Sequence, residues 1–111
     1  MARIRDNIKY IADMHNADPN QLKRACAYLT DYQCETLCEI CLNILRGHIP
    51  LSRQGLGHLR KYRHKIRYMA DRKKNLKVKK RIVQNGSGIF VPLLISALAP
   101  LIHRIIDGSR R

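Results

Sequence analysis

Residues 51–102 read LSRQGLGHLRKYRHKIRYMADRKKNLKVKKRIVQNGSGIFVPLLISALAPLI, and this stretch changes character once, sharply. Up to Asn85 it carries thirteen Lys or Arg and a single acid, Asp71. From Gly86 to Ile102 it carries 17 residues and no charge at all. In the basic part, Leu56, Leu59, Tyr62, Ile66 and Met69 recur at steps of three or four, which predicts a helix with a narrow apolar stripe on an otherwise cationic surface. Ser52 is the expected N-cap. Gly55 and Gly57 weaken the first turns by roughly 1 kcal/mol each relative to alanine. Beyond Ala70 the stripe thins to Leu76, Val78, Ile82 and Val83. Asn85-Gly86-Ser87-Gly88 reads as a flexible breaker. The apolar segment behind it is interrupted by Pro92 and Pro100 and closed by His103, Arg104 and Asp107.

Working outward, the first fifty residues are electrically neutral, with six Lys or Arg against six acids. Ile4, Ile8, Ile11 and Met14 share one face of a helix running from Met1 to about His15. Asn16-Ala17-Asp18-Pro19 reads as a stop and a new start: Asp18 caps, and Pro19 suits a first helical turn, where its missing N–H is not needed. A helix from Pro19 toward Arg46 follows, with Thr30-Asp31 able to restart it. Gly47 is placed to end it in a left-handed turn, and Pro50 prevents resumption. No internal repeat and no strand pattern stands out. The expected fold is all-α: a small N-terminal helical bundle (1–50), one long basic helix (51–85), and a Gly-Ser-Gly hinge with an apolar C-terminal helix (86–111).

The 111 residues suit one small domain. Their net charge of +14 is segregated, with +12 of it inside residues 51–85. Such segregation marks an interaction surface, because a solvated helix face ordinarily mixes signs. The candidate carriers are Arg53, Arg60, Lys61, Arg63, Lys65, Arg67, Arg72, Lys73, Lys74, Lys77, Lys79, Lys80 and Arg81. Each Lys or Arg that neutralises a phosphate releases counterions, so the sum gives affinity without sequence information. Duplex nucleic acid is the first partner expected and an anionic membrane surface the second. Five Tyr, one Phe and no Trp argue against the stacking platforms of single-strand binders.

Cys26, Cys34, Cys38 and Cys41, with His48 nearby, raise the question of zinc. Cys34 and Cys41 on one straight helix are separated by about 10 Å of rise, whereas ligands of one zinc sit about 2.3 Å from it. A kinked helix or ligands from two elements would be needed. The plainer reading makes these cysteines small buried hydrophobes beside Leu37, Ile40 and Leu45. Without a secretory signal the thiols are expected to be reduced. His15, His48, His58, His64 and His103 show no ligand spacing. No GxSxG, HExxH or phosphate-loop pattern is present, so no enzyme activity, metal or cofactor is expected.

The apolar residues Ile89, Phe90, Val91, Leu93, Leu94, Ile95, Leu98, Leu101 and Ile102 admit three readings. They pack as the last core helix, dock on a partner or membrane interface, or span a bilayer, for which 17 residues with two prolines is the lower limit.

The order of parts resembles a known group. Lys77 to Ile102, KVKKRIVQNGSGIFVPLLISALAPLI, is similar to core protein X (the precursor of mu) of adenoviruses, and more so to the X-like proteins of adintoviruses and Polinton or Maverick elements. Leu59 to Gln84 also looks like the Polinton version, and the resemblance covers about residues 52–106. In that group a basic stretch leads through a glycine-containing hinge into an apolar segment. The resemblance implies a small virion core protein, in the virion interior and host nucleus, that binds and condenses double-stranded DNA through the cations from Arg53 to Arg81. Capsid protein and further copies of the chain are then candidate partners. It also implies proteolytic processing near a G-x-G, here Gly86-Ser87-Gly88, although Gln84 stands where that group has an aliphatic residue. The rival reading is a membrane-active or minor capsid protein using the apolar tail. A third is a host-directed regulator whose residues 1–50 bind a cellular partner.

Overall fold

A computed structural model describes residues 6–49, 51 and 53–109. The expectations placed on Ile4, Pro50 and Ser52, and on the first turn of the N-terminal helix, lie outside the described residues. Those residues form eight α-helices and no strand: α1 (Ile8–Asn16), α2 (Pro19–Ala27), α3 (Asp31–Leu45), α4 (Arg53–Arg60), α5 (Arg63–Ala70), α6 (Leu76–Asn85), α7 (Phe90–Ala97) and α8 (Ala99–Ser109). The all-α expectation holds.

The neutral half follows its local signals. At the start of α2, Asp18 accepts from the Gln21 main-chain N–H while the Gln21 side chain accepts from the Asp18 N–H, and Pro19 occupies the first turn. Thr30 and Gln33 repeat the same reciprocal pair at the start of α3. The Thr30 cap thus splits the expected Pro19–Arg46 helix at residues 28–30. The end of α3 is a Schellman turn: Gly47 takes φ +74°, its N–H reaches the Ile44 carbonyl, and the His48 N–H reaches that of Asn43.

The basic half departs from one long helix. It is three short helices, broken at residues 61–62 and 71–75. The second break has a chemical cause. Asp71 accepts from the Lys73 N–H and Asn75 from the Lys77 N–H, so two short polar side chains offer the backbone an alternative to continuing the helix. The breaks let the apolar stripe fold back on itself. Leu59, Ile66, Met69 and Val83 are buried, Tyr62, Leu76 and Ile82 are half-buried, and Leu56 and Val78 remain exposed.

α3 is the central element. Its Cys34, Leu37, Ile40 and Cys41 are fully buried, it packs most extensively against α5, and it also meets α6. α2 packs on α6, and α7 sits against both α1 and α4. The apolar tail is therefore part of the core: Phe90, Val91, Leu94, Ile95, Leu98, Leu101 and Ile102 are buried, Leu93 is half-buried, and Ile89 alone of the nine stands exposed. Pro92 and Pro100 each lie in the first turn of their own helix, where no N–H is required of them. The Cα radius of gyration is 13.0 Å, about what a folded chain of this length has, so the tail does not trail away from the body.

The Gly-Ser-Gly hinge is a packed turn. Gly86 is buried, its N–H bonds the Ile82 carbonyl at 2.9 Å, and its own carbonyl accepts from Val91 at 2.8 Å. A Cβ at Gly86 would lie 2.9 Å from the Ile82 oxygen and 3.0 Å from the Phe90 Cβ. The glycine is needed for that close approach. Among the described residues no helix is long and apolar enough to cross a membrane.

Candidate nucleic-acid interface

Eleven of the thirteen candidate cations are exposed: Arg53, Arg60, Lys61, Arg63, Lys65, Arg67, Arg72, Lys73, Lys74, Lys77 and Arg81. They decorate α4, the 61–62 break, α5, the 71–75 turn and α6, whose exposed surface is mostly Lys, Arg, His and amide, with Leu56 and Val78 among it. Two are secured by aromatic faces. Lys65 lies 5.6 Å from the Tyr62 ring centre and 5.9 Å from that of Phe90, and Lys74 lies 5.5 Å from Tyr68. The Tyr62 and Phe90 rings meet at 5.6 Å between centres, which ties the basic helices to the apolar tail.

The other two cations have structural partners. Lys79 is 5% exposed and donates to the Asp71 main-chain carbonyl at 2.7 Å. Lys80 is half-buried and pairs with Asp31 at 2.6 Å, joining α6 to the first turn of α3. Reading every lysine as surface charge included these two. Only the three-dimensional return of α6 onto α3 and the end of α5 distinguishes them from Lys77 and Arg81.

On α6 the exposed positions are Lys77, Val78, Arg81, Gln84 and Asn85, all within one arc, while Lys79 and Val83 point inward. Val78, Gln84 and Asn85 are not among the candidates that charge alone picks out. The helical spacing 77, 81, 84 and 85 is the signal that carries them. Gln84 also donates to the Ala27 carbonyl at 3.4 Å, anchoring α6 to the end of α2.

The cysteines behave as core. Cys26, Cys34 and Cys41 are fully buried, and Cys38 is half-buried. Burial pushes the Cys26 thiol up to about 11 and raises that of Cys41. The Cys34 thiol is raised by its hydrogen bond with Cys38 and by burial. Among the described residues no group of His, Cys, Asp and Glu is arranged to hold a metal ion. Burial likewise raises Tyr10, whose hydroxyl is enclosed beside Cys26 and Cys34.

A groove of about 910 Å³ opens between α3 and the α5–α6 turn. Its walls mix signs, with Glu35 and Glu39 facing Arg72, Lys74 and Lys79. Asn43 in its wall donates to the Glu39 carbonyl at 2.8 Å and meets His48 Nδ1 at 3.0 Å. Thr36, buried elsewhere on α3, donates to the Tyr32 carbonyl at 3.0 Å.

No protein-family model, curated protein or solved structure matches the chain.

Proposed function

We propose that this protein binds duplex DNA without sequence specificity and condenses it, as a small core protein of an adenovirus-like or Polinton-like particle. The observation that carries the reading is the exposure of eleven cations between Arg53 and Arg81, in a segment whose single acid, Asp71, is turned to capping the 71–75 turn. A segment of this cationic density attracts a polyanion and releases its counterions. The packaging role rests further on the resemblance of residues 52–106 to the X-like core proteins. Capsid protein and further copies of the chain are the partners proposed for the neutral half.

The test is duplex affinity of the purified protein against salt concentration on two unrelated sequences. Comparable affinities with a log–log slope of about −6 or steeper support the reading. Weak binding with a shallow slope overturns it.

A further inference from the structure

We infer that α6 is the element that enters the major groove of that duplex, the cations of α4, α5 and the 71–75 turn holding the flanking phosphates. The inference rests on the DNA-binding reading and adds to it a docking geometry in which base contacts tune an affinity that the phosphates dominate.

The exposed arc of α6 differs in chemistry from that of α5; α4 shows a comparable mix in Arg53, Gln54, Leu56, His58 and Arg60, but no run of cations precedes it in the chain. α5 exposes Arg63, His64, Lys65 and Arg67, all of them bases. α6 exposes Lys77, Arg81, the amide of Asn85 and the branched apolar Val78, while Gln84 on the same arc gives its amide to the Ala27 carbonyl. Those are the groups that base edges accept in the major groove: arginine or lysine on guanine N7 and O6, an amide on adenine N6 and N7, and an apolar side chain on the thymine methyl.

The dimensions and the mounting agree. Ten residues make a helix about 15 Å long, and the groove is about 12 Å wide and admits one helix. α6 is the second of two short helices separated by the turn 71–75. In helix-turn-helix proteins the second helix enters the groove while the preceding elements meet the backbone. Arg72, Lys73 and Lys74 are exposed in that turn, directly ahead of α6. The helix is anchored at three points: Lys79 to the end of α5, Lys80 to α3 and Gln84 to α2. α6 would thus be presented rigidly, as groove insertion requires. No acid lies on its exposed arc.

The full-length protein is saturated onto a mixed-sequence duplex of about three helical turns and treated with dimethyl sulfate, which methylates guanine N7 in the major groove. Guanines become protected, methyl green in the major groove competes with the protein, and netropsin in the minor groove does not. The double variant Arg81→Ala/Asn85→Ala loses most of the N7 protection, roughly fivefold or more, as removal of direct base contacts requires, and still binds in a salt-dependent way. Arg72→Gln weakens affinity and keeps the protection. Steeply salt-dependent binding with fully reactive guanines and no methyl green competition overturns the groove assignment and leaves backbone binding intact. Absence of salt-dependent binding overturns both readings.

Discussion

The ammonium of Lys79 donates to the main-chain carbonyl of Asp71 at 2.7 Å, eight residues back along the chain and almost out of water. Asp71 terminates α5, where unsatisfied carbonyls and the negative end of the helix dipole gather. The cation therefore holds α6 against the end of α5. A hydrogen bond from a charged donor contributes about 1.5–3 kcal/mol. Lys79→Ala is expected to lower the unfolding free energy by about 2 kcal/mol in urea and to leave the salt slope of duplex binding as in the native protein. A shallower slope with unchanged stability would place Lys79 on the phosphates instead.

The reverse holds for the exposed cations. Replacing Arg72, Lys73, Lys74, Lys77 and Arg81 together with Gln removes five exposed charges. Every phosphate left without its cation flattens the log–log slope by about 0.9, so the variant is expected to be shallower by about 4.5. Surface changes of this kind shift stability by about 0.5 kcal/mol or less each, and the relief of self-repulsion acts in the stabilising direction. Titration at several salt concentrations, with urea unfolding alongside, checks both halves.

The neutral half was legible because its signals are local. Asp18, Thr30 and Gly47 each act through hydrogen bonds or backbone conformation within a few residues, and the helix ends fall where those residues stand. The basic half was not, because its stripe keeps helical spacing through the first break: Leu59, Tyr62, Ile66 and Met69 read as one helix although the chain turns at 61–62. The 71–75 turn had a signal in Asp71 and Asn75, outweighed by the surrounding Lys and Arg. Lys79 and Lys77 are indistinguishable in sequence, and only their neighbours from α5 decide which is buried. The tail posed a different problem. An uncharged run is apolar enough for a core, a partner or a lipid surface, and its placement against α1 and α4 depends on helices distant in the chain.

Gly86 and Gly88 flank Ser87 and look equivalent in sequence, yet they differ in space. A Cβ on Gly86 meets a main-chain oxygen at 2.9 Å and the Phe90 side chain at 3.0 Å, whereas one on Gly88 meets nothing within 4 Å. Overpacking of this kind costs about 1–3 kcal/mol. Gly86→Ala is expected to lower the unfolding free energy in urea by that amount and Gly88→Ala to leave it nearly unchanged. Equal, small effects at both positions would restore the flexible hinge.

Alkaline pH should weaken the fold through Cys26. Its thiol rises from the ordinary 9.0 to about 11 by burial. An acid whose folded pKa is raised contributes its full stability below the unfolded value and loses it as pH climbs from about 9 through about 11, since the unfolded chain ionises first. Unfolding free energy is expected to fall as pH rises from about 9 to about 11, and to fall less in Cys26→Ala. Thiol reagents at about pH 8 should reach Cys26, Cys34 and Cys41 only as the protein unfolds. A pH dependence identical in the two proteins would remove Cys26 as its source.

Leu94 and Leu98 are the positions at which the use of the apolar tail can be tested. Both are buried, and α7 is held between α1 and α4. Truncating a buried leucine to alanine costs about 2–5 kcal/mol, a large share of the about 5–15 kcal/mol that holds a domain folded. Leu94→Ala is thus expected to unfold at distinctly lower urea, and the double variant with Leu98→Ala to be unfolded in large part. The membrane-active alternative requires α7 to leave the core, so undocking must precede any attack on lipid. Dye release from anionic vesicles separates the two uses of the tail. If α7 serves as core, the native protein leaves vesicles intact at concentrations where it binds duplex DNA, and Leu94→Ala releases dye in proportion to its unfolded fraction. Release by the native protein as fast as by the variant means that the tail is delivered to lipid without crossing the unfolding barrier, and the membrane reading then takes precedence.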